Sequence, residues 1–184
     1  MKSLLTRSFL FLSLLTVLSN CNRKDPNIKF SAVNHVGITV KDLSPSIRFY
    51  EALTGVESIH LDRLAGDRLA KLLQMDGYDV RYATLYLDNL NIDLLEYKKP
   101  APKAASYEAS QISAMHLCFE VKDFGSAVAR LKKIGVTLEG AEVKYLEEDG
   151  LQEGVGTEVI SFKDPDGTHL QVMAPKGSFK RLKD

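Results

Sequence analysis

Residues 33–40 alternate: Val36, Ile38 and Val40 are apolar, and His35, Gly37 and Thr39 fall between them. A period of two with one apolar face predicts a half-buried strand. The period then changes. Leu43, Ile47, Tyr50 and Leu53 recur at helical spacing, with Ser44 as the N-cap, Pro45 at the first helical position and Gly55 as the stop. That apolar stripe is placed to cover the apolar face of the strand. Beyond it the pattern predicts a strand over 56–61 and a short helix or lid over 62–75. Two strands follow over 80–87 and 91–97, joined by a turn at Asp88-Asn89. The order is βαβββ.

The pattern then starts again. His35-Val-Gly-Ile-Thr-Val-Lys-Asp42 returns as His116-Leu-Cys-Phe-Glu-Val-Lys-Asp123, and the following helical stripe returns as Phe124, Val128, Leu131 and Ile134. A self-match of this length is a duplicated module, too long for a solenoid repeat. The second copy predicts a strand over 115–121, a helix over 124–134, and strands over 142–146, 157–162 and 168–173. Asp164-Pro165-Asp166-Gly167 forms the last turn, and residues 147–156 an acidic, glycine-rich loop. Residues 98–111, rich in Lys, Pro, Ala and Ser, link the modules, which span 30–99 and 112–175. Residues 176–184 are a charged tail.

Composition adds little for this region. At 184 residues, with Lys+Arg 24 against Asp+Glu 24, the chain suits one ordinary domain and offers no electrostatic case for nucleic acid. The first residues differ. Lys2 and Arg7 precede an uncharged apolar run over 8–18, which has the size of a signal-peptide core rather than a membrane span. It leads into Leu18-Ser19-Asn20-Cys21, which resembles a bacterial lipobox, although Asn20 stands where a small residue is usual. The reading is a signal peptide over 1–20, a lipidated Cys21 and a tether over 21–29. That places the protein at the bacterial cell envelope, held to a membrane through lipid; ordinary secretion and a retained anchor are the alternatives. Cys118 is then a small buried apolar residue, with a Cys21–Cys118 disulfide as the competing view.

Parity sorts the strands into two faces. The helices need the face carrying Ile92, Leu94, Leu170 and Val172. His35, Asp93, His116 and Gln171 therefore share the opposite, inner face. Two imidazoles, a carboxylate and an amide are suitable ligands for one divalent ion: Zn, Ni, Co, Mn or Fe. The plain alternative is that duplication copied a histidine that has no task. Tyr82, Thr84 and Tyr86 share the inner parity, either lining a cup or simply filling an amphipathic strand.

These phrases resemble the vicinal-oxygen-chelate superfamily of glyoxalase I, methylmalonyl-CoA epimerase, fosfomycin- and bleomycin-resistance proteins and extradiol dioxygenases. The likeness is carried by residues 34–43 with Phe49-Tyr50, by Ile92-Asp-Leu-Leu-Glu-Tyr97, by His116 and by residues 162–171. It implies an α+β fold: two βαβββ modules forming a cupped mixed sheet with helices outside, over residues 30–175. It implies metal positions at His35, Asp93, His116 and Gln171, with Asp93 rather than Glu96 on the fourth strand. Gln171 stands where glutamate is usual and cannot take a proton, which leaves Asp93 and His169 as the catalytic candidates. The implied function is a metal-dependent lyase or isomerase acting on a small oxygenated substrate by Lewis-acid and enolate stabilisation. A metal-free, antibiotic-type binding cup is the alternative, and a ring-cleaving dioxygenase the third. Export argues against glutathione and CoA thioesters as substrates. The linker serves either a cup closed within one chain or module exchange in a homodimer.

Overall fold

In the first module the alternation folds as β1 (His35–Thr39), with Ile38 buried and His35, Gly37 and Thr39 exposed. The computed structural model describes residues 32–103, 108–150 and 154–179. The signal peptide, the tether and the lipidation of Cys21 lie outside them. The described residues from Asn34 onward form one compact unit. Among the described residues no helix is long and apolar enough to cross a membrane.

Helix α1 (Leu43–Thr54) starts earlier than its proline suggests. Its N-cap is Asp42, not Ser44: the Asp42 carboxylate accepts from the Ser44 N–H at 3.0 Å. Pro45 therefore sits third in the helix. It costs nothing there, because first-turn N–H groups have no partner inside the helix. Gly55 ends the helix in the left-handed region at φ 76 and donates to Glu51 O.

The next stretch departs from expectation. β2 (Ile59–Ala65) runs through Asp62, where a helix is expected. Asp62, Arg63, Leu64 and Ala65 instead pair with Tyr82, Arg81, Val80 and Asp79 of β3 (Asp79–Tyr86). Gly66, at φ 126, breaks the strand, and only Asp67–Leu72 remain as helix α2. β4 (Asn91–Lys99) completes the module. The second module repeats the order as β5 (Leu117–Glu120), α3 (Phe124–Lys133), β6 (Leu138–Lys144), β7 (Glu158–Lys163) and β8 (His169–Ala174). β6 begins before the predicted 142–146.

The modules form two four-stranded mixed sheets, ordered β1-β4-β3-β2 and β5-β8-β7-β6. In each, the first strand lies parallel to the last and the remaining pairs are antiparallel. The fold is α+β with paired βαβββ modules, as the repeat implies. Leu43 and Tyr50 of α1, Phe124, Val128 and Leu131 of α3, and the apolar sides of both sheets join one core. Hydrogen bonds lock the modules across it. The buried Tyr50 hydroxyl donates to Asp164 at 2.9 Å, the Lys41 N–H to Asp166 at 3.1 Å, and Arg130 Nε to the Ala52 carbonyl at 2.6 Å. Burial, then the Asp164 charge, pushes the Tyr50 hydroxyl far above the usual phenol range, so it stays a donor. Because the helix-covered faces feed a common core, the other face of each sheet is left for chemistry.

Candidate metal centre

Strand register builds the site in two matched halves. On the first sheet Asp93 lies between Gly37 on β1 and Thr84 on β3; on the second Gln171 lies between Cys118 on β5 and Ser161 on β7. A Cβ at Gly37 would come within 3.1 Å of the Leu95 side chain, which would have to give by a few tenths of an ångström.

In the first half the Thr84 hydroxyl donates to Asp93 Oδ1 at 2.6 Å. The other carboxylate oxygen, Oδ2, lies 3.9 Å from His35 Nε2. The far nitrogen of that ring, Nδ1, sits 2.9 Å from Asn34 Oδ1. A proton on Nδ1, donated to Asn34, leaves the Nε2 lone pair facing Asp93, the tautomer a ligating imidazole needs. Two donors each about 2.1 Å from one tetrahedral ion lie about 3.4 Å apart, so closing this pair by about half an ångström would let it hold a divalent cation. By its chemistry the donor set fits such an ion.

In the second half Gln171 Nε2 donates to Ser161 Oγ at 3.1 Å. His116 is exposed just ahead of β5. With Gln171 and His169 it lines a cleft of about 310 Å³. His169 Nδ1 lies 3.2 Å from Glu139 Oε2, and the other Glu139 oxygen binds Lys163 Nζ at 2.8 Å. The Lys163 hydrogen bond, above all, holds the Glu139 carboxyl below its usual range, and the same bond raises the Lys163 ammonium.

Of the residues the sequence singles out, the structure brings His35 to Asp93, and His116, His169 and Gln171 to one cleft. It does not gather His35, Asp93 and His116 within one chain: among the described residues no three His, Cys, Asp or Glu side chains converge. Glu96 lies on the helix side as its parity requires, buried and paired with Arg81 and Lys98. Cys118 corrects an expectation. It is exposed on the open face rather than buried, because its neighbours Leu117 and Phe119 take the core side of a four-residue strand. The sequence reading missed Asn34, Ser161 and Glu139. Ser161 could have been found by matching its turn-related position before Gln171 to that of Thr84 before Asp93.

Comparisons with known proteins agree with the fold. Residues 32–172 match the family described as the Glyoxalase/Bleomycin resistance protein/Dioxygenase superfamily. A lactoylglutathione lyase of Arabidopsis thaliana is 26% identical over 148 residues, which is 80% of this chain; the chain spans 47% of that relative's length. A glyoxalase family protein from Bacillus cereus superposes with a TM-score of 0.70 at 19% identity, covering 83% of this chain and 99% of that one. A glyoxalase/bleomycin resistance protein/dioxygenase domain from Frankia sp. gives a TM-score of 0.56 at 21% identity, covering 82% and 96%. At these identities the solved structures speak for the fold.

Proposed function

The chain belongs to the glyoxalase/bleomycin resistance protein/dioxygenase superfamily, and from that premise we propose that it is a metal-dependent lyase or isomerase acting on a small oxygenated substrate. One observation carries the reading: His35 Nε2 and Asp93 Oδ2 stand 3.9 Å apart, and the opposite ends of both side chains are already occupied by hydrogen-bond partners. His35, Asp93, His116 and Gln171 would hold the ion. Bound there, a divalent metal supplies Lewis acidity to a substrate carbonyl or hydroxyl oxygen. The chain's own groups handle the proton on the neighbouring carbon. Gln171 has no basic lone pair for it, so the work falls to Asp93 or to His169, which lies in the cleft. The lyase named among the relatives supports this class, although the chain covers under half of that protein.

Because the two ligand pairs do not meet in one chain, the proposed site joins His35 and Asp93 of one copy to His116 and Gln171 of a second. Subunit complementation tests this. His35→Ala and His116→Ala proteins should each lose tight metal uptake. Mixing them under subunit exchange should restore about a quarter of the wild-type sites, since a mixed dimer keeps one intact site of two. If uptake is not restored while wild type binds, the site closes within one chain. The separation of the pairs also favours a second reading, a metal-free small-molecule binding cup, which wild type that takes up no metal would leave as the reading to test.

Export and anchoring through Cys21 belong to the proposal and rest on the residue pattern before and at Cys21. Lipidation and membrane fractionation of wild type against Cys21→Ser check them: the variant should be unlipidated and released, and a wild type that stays soluble with residues 1–20 attached would end this reading.

A further inference from the structure

A metal ligand must point one particular atom at the ion, and two of these ligands have a wrong atom to offer. Gln171 can present its carbonyl oxygen, which binds cations, or its NH2, which cannot. Asp93 can present one oxygen or spread both. At the same register position in each sheet a hydroxyl bonds one of the two competing atoms. Thr84 pairs with Asp93 across β3 and β4, and Ser161 pairs with Gln171 across β7 and β8. The Thr84 hydroxyl occupies Asp93 Oδ1 at 2.6 Å, which leaves Oδ2 toward His35 Nε2. Ser161 Oγ takes the Gln171 Nε2–H at 3.1 Å, which leaves Oε1 for the cleft that also holds His116. Thr84 is only 6% exposed, and β-branching restricts its χ1, so its hydroxyl is held to the carboxylate. An ordinary polar strand face would bond its hydroxyls to water. Here both are spent on candidate ligands, once in each duplicated half.

We propose that Thr84 and Ser161 are paired positioning residues: Thr84 presets Asp93 as a one-oxygen ligand, and Ser161 fixes the Gln171 amide so that its carbonyl oxygen faces the ion. The inference rests on the metal-binding reading above. Neither hydroxyl touches the ion or the substrate; each acts through the ligand it holds.

The test is competition calorimetry with Co(II), together with the visible absorption spectrum of the cobalt protein. Thr84→Val and Ser161→Ala should each weaken Co(II) binding by about 10–100-fold, the usual loss when an outer partner of a ligand is removed. The cobalt bands should shift, and the metal-free variants should stay folded by circular dichroism, with the unfolding midpoint lowered only in Thr84→Val, which loses a bond to a charged acceptor. Thr84→Ser and Ser161→Thr keep the hydroxyl and should restore both affinity and spectrum. If Thr84→Val fails to fold, Ser161→Ala decides. Variants that bind like wild type with unchanged spectra overturn the proposal. So does equal loss in the hydroxyl-keeping variants, which would indicate packing instead. A wild type that binds no cobalt removes the metal-binding reading itself, and this inference with it.

Discussion

At Gln171 the chain carries a neutral amide where an acid would add charge to the ligand set. Substituting Gln171→Glu keeps an oxygen in reach of Ser161 and adds one negative charge. Metal affinity should rise by about tenfold or more, about 1.4 kcal/mol, read by calorimetry. Glu139 gives a pH prediction. Its carboxyl is held below the ordinary 4.5, first by the Lys163 hydrogen bond. A depressed folded value means the stabilisation is complete above the ordinary, unfolded value and is lost as pH falls through the folded one. The unfolding midpoint of wild type should therefore exceed that of Glu139→Gln near neutrality by only a small margin for so open a pair, and the two should converge in acid. Parity in the sequence is enough to put His35, Asp93, His116 and Gln171 on open faces and Glu96 on the other. It could equally have exposed Cys118, had the residue type not suggested a core. The Thr84–Asp93 and Ser161–Gln171 bonds are less legible, because cross-strand register depends on turn lengths that alternation does not reveal.

Among the elements, α1 and α3 are readable because their apolar stripes are strong and a side chain caps each: Asp42 bonds the Ser44 N–H, and Asp123 the Ser126 N–H. The proline draws the α1 start to Ser44, yet an aspartate one residue before the stripe is the better acceptor and wins. The stretch from Asp62 to Met75 misleads for a different reason. Leu64, Leu69, Leu72 and Leu73 suggest one helix across what is a strand and a short helix, and only pairing with β3 shows where one ends. Gly66 at φ 126 is the physical boundary. At the end of α1, Gly55 lies at φ 76, and an added Cβ would meet the Arg130 guanidinium at 3.2 Å. Gly55→Ala should destabilise the fold by about 1–2 kcal/mol, seen as a lower urea midpoint with an unchanged slope.

Across the whole molecule, the duplicated modules share one core and are locked by Tyr50, Asp164 and Asp166. Tyr50→Phe removes one bond to a charged acceptor, while Asp164 keeps the Asp166 and Thr168 N–H groups. The cost should be about 1–2 kcal/mol in thermal or denaturant unfolding. The duplication, visible as a repeated phrase, already implies paired modules. It does not say whether their open faces meet, because that depends on how the modules or their copies pack, and no single strand encodes packing at that distance. The central claim is that these open faces hold one divalent ion. Calorimetric titration of wild type and the His35→Ala/His116→Ala protein with Zn, Ni, Co and Mn tests it most directly. Wild type should take up one ion per chain, and the double variant none, with its fold intact by circular dichroism because both histidines are exposed. No uptake of any of the four by wild type at about a millimolar, roughly 4 kcal/mol of binding, would contradict the account.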